Sequence, residues 1–110
     1  MDFGKPLDKL LLESEILIDR PKETPHSKYP NIIYPLDYGY LKRTVSMDGG
    51  GIDLWAGTRG KSLDALVCTV DPLKRKVEIK LLLGCTEAEK AAVLPFHRRT
   101  LHMGALLVRR

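Results

Sequence analysis

Residues 34–56 read Tyr34-Pro-Leu-Asp-Tyr-Gly-Tyr-Leu-Lys-Arg-Thr-Val-Ser-Met-Asp-Gly-Gly-Gly-Ile-Asp-Leu-Trp-Ala56. Tyr34, Tyr38 and Tyr40 come first, then Asp48 and Asp53 bracket Gly49-Gly50-Gly51. The pattern predicts a strand over Tyr38–Val45, a turn through Met47–Gly51 and a strand over Ile52–Ala56. An Asp-Gly pair is a common hairpin signal and accounts for Asp48 and the glycines. It accounts less well for Asp53, which enters a strand. Magnesium takes hard oxygen ligands, usually one or two carboxylates with water and phosphate in the remaining positions. A glycine-rich turn lets two acids converge without side chains in the way. Tyrosines beside a strand serve a core or, through their hydroxyls, donate to phosphate oxygens.

Outward from this stretch the chain alternates short strands with turns, between two helices. Pro6–Glu13 reads as a helix with Leu7, Leu10 and Leu11 at helical spacing. Glu15–Asp19 is a β-type run, with Ile16 and Ile18 on one face and Leu17 and Asp19 on the other. Arg20–Pro30 carries three prolines and is loop. Beyond Ala56, a polar hairpin loop over Gly57–Lys61 leads to a strand at Leu63–Val70. Asp71-Pro72 turns the chain into Val77–Leu83. Thr86-Glu87-Ala88-Glu89 is a capping box for a helix that reaches about Leu94 and can continue, kinked, past Pro95. Gly104–Val108 is a last apolar strand. Many short strands with two flanking helices predict a mainly β fold: a small OB-like antiparallel β-barrel, as a single domain over residues 1–110.

Composition narrows the classes of function. At 110 residues with 44% hydrophobic content, one core forms without staples. The apolar runs are too short to span a bilayer and no secretory signal is evident, so a cytoplasmic, non-membrane protein is expected. Cys68 and Cys85 read as small core residues in a reducing compartment. A net charge of +4 suits an anionic ligand without arguing for nucleic acid. Gly57–Ser62 ends like a phosphate-binding P-loop, but the first glycine of that pattern is Trp55 here, so the segment is a turn. His97 and His102 are five apart, on different helical faces, and read as structural. Glu78 and Lys80 share one face of a strand, where an isolated surface pair is worth little.

On Tyr34-Pro35-Leu36-Asp37-Tyr38-Gly39-Tyr40, Thr44-Val45-Ser46-Met47-Asp48-Gly49 and Asp53, the chain resembles the single-domain, magnesium-dependent soluble inorganic pyrophosphatases. The likeness extends more loosely through Glu78-Ile79-Lys80 and back to Asp19 and Lys28; the C-terminal quarter matches poorly. It implies an OB-like barrel whose open end holds magnesium ions and one pyrophosphate. Asp48 and Asp53 would be the catalytic metal ligands, with Asp53 bridging two ions. Lys28, Tyr38 and Lys80 would contact phosphate, and Tyr34 would line the site. Glu78 stands where the family has a metal-binding aspartate, and Asp19 where it has a glutamate near the metals. Asp71 stands in for another metal aspartate.

The departures bear on activity. Gly50 occupies the position of the family's middle aspartate, the acid expected to help activate the attacking water. Pro30 replaces a second acid, and the hairpin with a phosphate-binding arginine and the late Tyr-Lys pair are absent. Arg43, Lys74, Lys76 and Arg110 are the basic residues left to replace that charge. Two functions follow as expectations: magnesium-dependent hydrolysis of pyrophosphate or a small diphosphate, and a catalytically silent diphosphate- or nucleotide-binding module. A single-stranded nucleic-acid binder is disfavoured, because carboxylates among the tyrosines repel a phosphate backbone. Oligomeric state, homo-oligomer included, stays open.

Overall fold

The computed structural model describes residues 2–110. Helix α1 (Gly4–Glu13) leads into β1 (Ile16–Arg20), β2 (Asp37–Leu41), β3 (Ile52–Ala56), β4 (Leu63–Asp71) and β5 (Lys76–Leu83). Helix α2 (Glu87–Pro95), a π-helical turn (Phe96–Thr100) and β6 (Gly104–Arg109) complete the chain. The mainly β class with two helices holds. The capping box forms as expected, with Thr86 accepting from the Glu89 amide and the Glu89 side chain reaching back to the Thr86 amide. Pro95 does not end the helix. The chain continues as a π turn, a form in which single turns interrupt α-helices near functional sites.

The strands form one open six-stranded sheet in the order β1-β2-β3-β5-β4-β6, and its two edge strands do not pair. This corrects the expected antiparallel barrel: the sheet is open, and β3 and β5 run parallel. Edge strand β1 has only five residues and a register irregularity between Ile18 and Arg20, and α2 with the π turn lies across one face. It also corrects two local expectations. The strand begun at Tyr38 stops at Leu41, because Arg43 turns the chain at a φ of +59°. Gly57–Lys61 is no hairpin loop: β4 lies on the far side of β5, and β3 pairs with β5 in parallel. That crossover sets chemistry in place. With Leu54 opposite Leu81, Asp53 and Lys80 become neighbours on one face.

Alternation sends side chains to two faces with different covers. On one, Trp55, Val67, Leu82 and Ala65 pack with Val93 and Phe96 of the C-terminal helical segment and with Tyr34 and Leu36. On the other, Leu41, Leu54, Leu81 and Leu83 pack under Leu7, Leu10 and Leu11 of α1. Each such leucine contributes on the order of 2 kcal/mol of burial, which fixes the strands that carry the polar cluster described next.

Candidate functional site

The first face holds, beside its aromatic core, a charged cluster from three strands. Lys80 Nζ donates to Tyr38 Oη at 2.6 Å, to Glu78 Oε2 at 2.8 Å and to Asp53 Oδ2 at 3.3 Å. An ammonium has three protons, and all three are used. Glu78 also meets Lys76 at 2.7 Å, since alternate residues of β5 share a face. Asp48 stands in the β2–β3 turn, accepting from Ser46 Oγ at 2.6 Å and from the Gly50 amide at 3.0 Å. Asp53 and Glu78 are thus joined through Lys80, while Asp48 is held within its own turn.

The electrostatics follow from these neighbours. Burial alone would raise the Glu78 carboxyl, but the hydrogen bonds and charges of Lys76 and Lys80 outweigh it and hold it below its ordinary value. Asp48 is lowered by the Ser46 hydroxyl first and the Gly50 amide second. Burial, then the charge and hydrogen bonding of Asp53, with Glu78 adding, push the Tyr38 phenol well above its ordinary value. Tyr38 is therefore a neutral hydrogen-bonding group at any physiological pH, not a base.

Behind the cluster the aromatic wall is continuous. The Tyr38 ring meets Trp55 edge-on at 4.6 Å, and Trp55 meets His97 at 5.7 Å. Trp55 Nε1 donates to His97 Nε2 at 3.3 Å, which leaves the proton of the neutral imidazole on Nδ1. His97 Nδ1 is the buried side-chain polar atom without a partner among the described residues. Burial first, then the Lys80 charge, lower His97 to about 4, with Glu78 opposing. His97 was expected to be structural, and it is buried as that reading requires. Its link to Trp55 and Lys80 was not legible, because it depends on the π turn. Lys76 was legible in part, as one of the basic residues left to replace lost charge.

Other expected site residues lie elsewhere. Tyr34 is buried in the aromatic core, between Trp55 and Phe96, with its ring 5.8 Å from Tyr38. Lys28 is exposed in the loop after β1, where its backbone amide donates to His26. Asp19 is exposed at the irregular end of β1, and its side chain makes no hydrogen bond among the described residues. Asp71 caps the β4–β5 turn, accepting from the Leu73 and Lys74 amides at 3.0 and 3.1 Å. A carboxylate that satisfies two turn amides is held there rather than turned to the cluster. Arg110 is engaged with Asp8 of α1.

Among the described residues no three His, Cys, Asp or Glu side chains form a group that could hold a metal ion. The donor chemistry fits magnesium at the level of a pair: Asp53 with Glu78, both on Lys80, supplies the one or two carboxylates this ion takes when water and phosphate complete its shell. No protein-family model matches the chain, and no curated protein matches it in sequence.

Proposed function

We propose that this protein is a magnesium-dependent hydrolase of inorganic pyrophosphate or a related small diphosphate. The observation that carries the reading is the meeting of Tyr38, Asp53, Glu78 and Lys80 on one face of the sheet. These are four of the residues that the pyrophosphatase-like pattern singles out. Lys80 and Tyr38 supply a cation and a neutral hydroxyl for phosphate oxygens. Asp53, Glu78 and Asp48 would hold magnesium, which when bound supplies Lewis acidity toward phosphate and a more acidic water. Glu78, between two lysines, keeps its charge under the conditions in which such an ion binds.

Binding without turnover is the second reading, and Gly50 favours it. Losing a general acid or base costs roughly a hundred- to ten-thousandfold in rate. Phosphate release from pyrophosphate, with and without magnesium, tests hydrolysis, and Asp53→Asn should abolish it. Unchanged turnover in that variant would sink the enzyme reading. Stabilisation by magnesium pyrophosphate without phosphate release would leave the binding reading alone. For cellular setting, no helix among the described residues is long and apolar enough to cross a membrane. Cys68 and Cys85 are both free thiols, which supports a cytoplasmic assignment.

A further inference from the structure

The sheet face opposite the charged cluster is only half covered. Helix α1 shields the end that carries Leu54, Leu81 and Leu83, and the other end of the same strands is open. There Val77 of β5 lies opposite Val70 of β4. Beside them, Cys68 of β4 is flanked by Ile79 on one side and Leu106 on the other. Leu66 next to Val108 completes a three-strand grid without a charge or a hydrogen-bonding side chain other than the Cys68 thiol. Val77 is 51% exposed and Leu106 61%.

A sheet face that meets water normally alternates to polar residues. Here the polar residues of β5, Lys76, Glu78 and Lys80, point to the other face. The apolar surface also continues past the grid. Phe3, Val45 and Met47, all exposed, line a groove of about 430 Å³ together with Ile79, and the far wall of that groove reaches Asp53 and Glu78 of the charged cluster.

We propose that this face is the interface of a homodimer, in which the open half of one sheet stacks on the open half of a second copy. Area supports that occupant. Taking a fully exposed side chain as on the order of 100 Å², the exposed apolar side chains of grid and groove sum to roughly 450 Å². A standard stable interface buries about 800 Å² per partner, of which somewhat over half is apolar. The match is to a dimer contact rather than to a small-molecule groove.

Charge and shape agree. An isologous contact lays the same uncharged β4-β5-β6 grid on itself, so a chain of net charge +4 buries no cation at its centre, and the groove that reaches Asp53 and Glu78 stays at the rim. Arg110, at the end of β6, is already paired with Asp8 at 2.6 Å. Stacked sheets sit about 10 Å apart, and a helix is about as thick, so α1 of each copy borders the contact without holding the sheets apart.

Sedimentation velocity on the full chain, from about 1 to about 200 µM, tests the proposal. The expected result is a species of twice the 12.4 kDa chain mass. Leu106→Glu and Val77→Lys should each weaken the dimer at least about tenfold, with the far-UV circular dichroism unchanged. Leu12→Glu, at a still more exposed apolar site on α1, should leave it intact. Val77→Thr, nearly isosteric and compatible with a strand, reads the same effect if a charged variant fails to fold. A wild-type chain that stays monomeric throughout the range overturns the proposal. So does a dimer indifferent to all three patch variants, or a patch that carries the monomer onto neutral lipid vesicles instead.

Discussion

Lys80 Nζ and Tyr38 Oη meet at 2.6 Å across β5 and β2, two strands that are not neighbours in the sheet. The contact spans β3, and Asp53 of that intervening strand takes the third proton of the same ammonium at 3.3 Å. The lysine also lies 5.2 Å from the centre of the Tyr38 ring. A cation is thus built into the place between two carboxylates where an added cation would otherwise sit. Asp53 and Glu78 are met by Lys80 and Lys76 without a ligand.

Lys80→Met should destabilise the protein by about 2 kcal/mol, less than a fully buried pair because Asp53 remains partly in water. Glu78 keeps Lys76, but Asp53 loses its cation and faces Glu78 directly. Magnesium should then restore part of the loss in the variant and stabilise the wild type less, because the ion takes the position Lys80 leaves. Urea unfolding of both proteins with and without magnesium reads this. A variant that loses stability and gains nothing from magnesium would show that the acids do not form a cation site.

His97 sets a pH dependence whose sign can be worked out. Its folded value of about 4 lies below the ordinary 6.5, so the unfolded chain binds the extra proton more readily. The contribution is complete above about pH 6.5 and is lost as pH falls through about 4; it amounts to about 3 kcal/mol. Protonation adds the proton at Nε2, which breaks the bond accepted from Trp55. Lys80 disfavours the charged imidazole and Glu78 favours it, so burial and the lysine together exceed the glutamate. His97→Phe should flatten the stability profile between pH 4 and 6.5, as followed by urea unfolding across that window. An unchanged slope would place the titration elsewhere.

Local patterns were legible where one segment carries its own reason. The helix with Leu7, Leu10 and Leu11, the capping box at Thr86 and the strand at Ile52–Ala56 stand as expected. So does the pairing of Glu78 with Lys80, because alternate residues of a strand share a face. Strand order was not legible. The loop Gly57–Lys61 looks like a hairpin by composition, and nothing local says that β5 will enter between β3 and β4. Nor does a periodicity of two say which face water meets; β5 shows alternation without showing that its apolar side is the open one. Asp71 shows the limit for sites: in sequence an acid beside a proline fits a turn cap and a metal ligand alike, and its amide partners decide.

The crossover itself rests on Gly84. Its φ is +58°, and a Cβ there would lie 1.9 Å from the Gly60 carbonyl oxygen. The Arg59 amide donates to the Gly84 carbonyl, and the Gly84 amide to the Ser62 carbonyl, so the loop between β3 and β4 is laced to the end of β5. Gly84→Ala should cost at least about 2 kcal/mol, since both the backbone angle and the close approach resist a side chain. The loss should appear as a lower midpoint in thermal unfolding. Gly49, also at positive φ but with nothing within 4 Å, should tolerate alanine at about 1 kcal/mol or less.

Gly50→Asp addresses activity directly. A Cβ at position 50 meets only Asp48 Oδ1, at 3.4 Å, and the residue is exposed at a turn, so the backbone accepts a side chain there. The new carboxylate would stand next to Asp48. Under the hydrolase reading this adds the acid that helps to activate water, and magnesium-dependent phosphate release should rise by at least about tenfold, toward the hundredfold or more typical of a general base. Without magnesium the same substitution adds a fourth negative charge to Asp48, Asp53 and Glu78 and should lower stability slightly. Gly50→Ala separates the carboxylate from the loss of glycine, and should leave turnover where it was. A Gly50→Asp protein that binds magnesium pyrophosphate more tightly yet releases no more phosphate would assign the site to binding. The reason would then lie in what surrounds the acids: Lys80 and Lys76 already pair with Asp53 and Glu78, and an added carboxylate does not free either one.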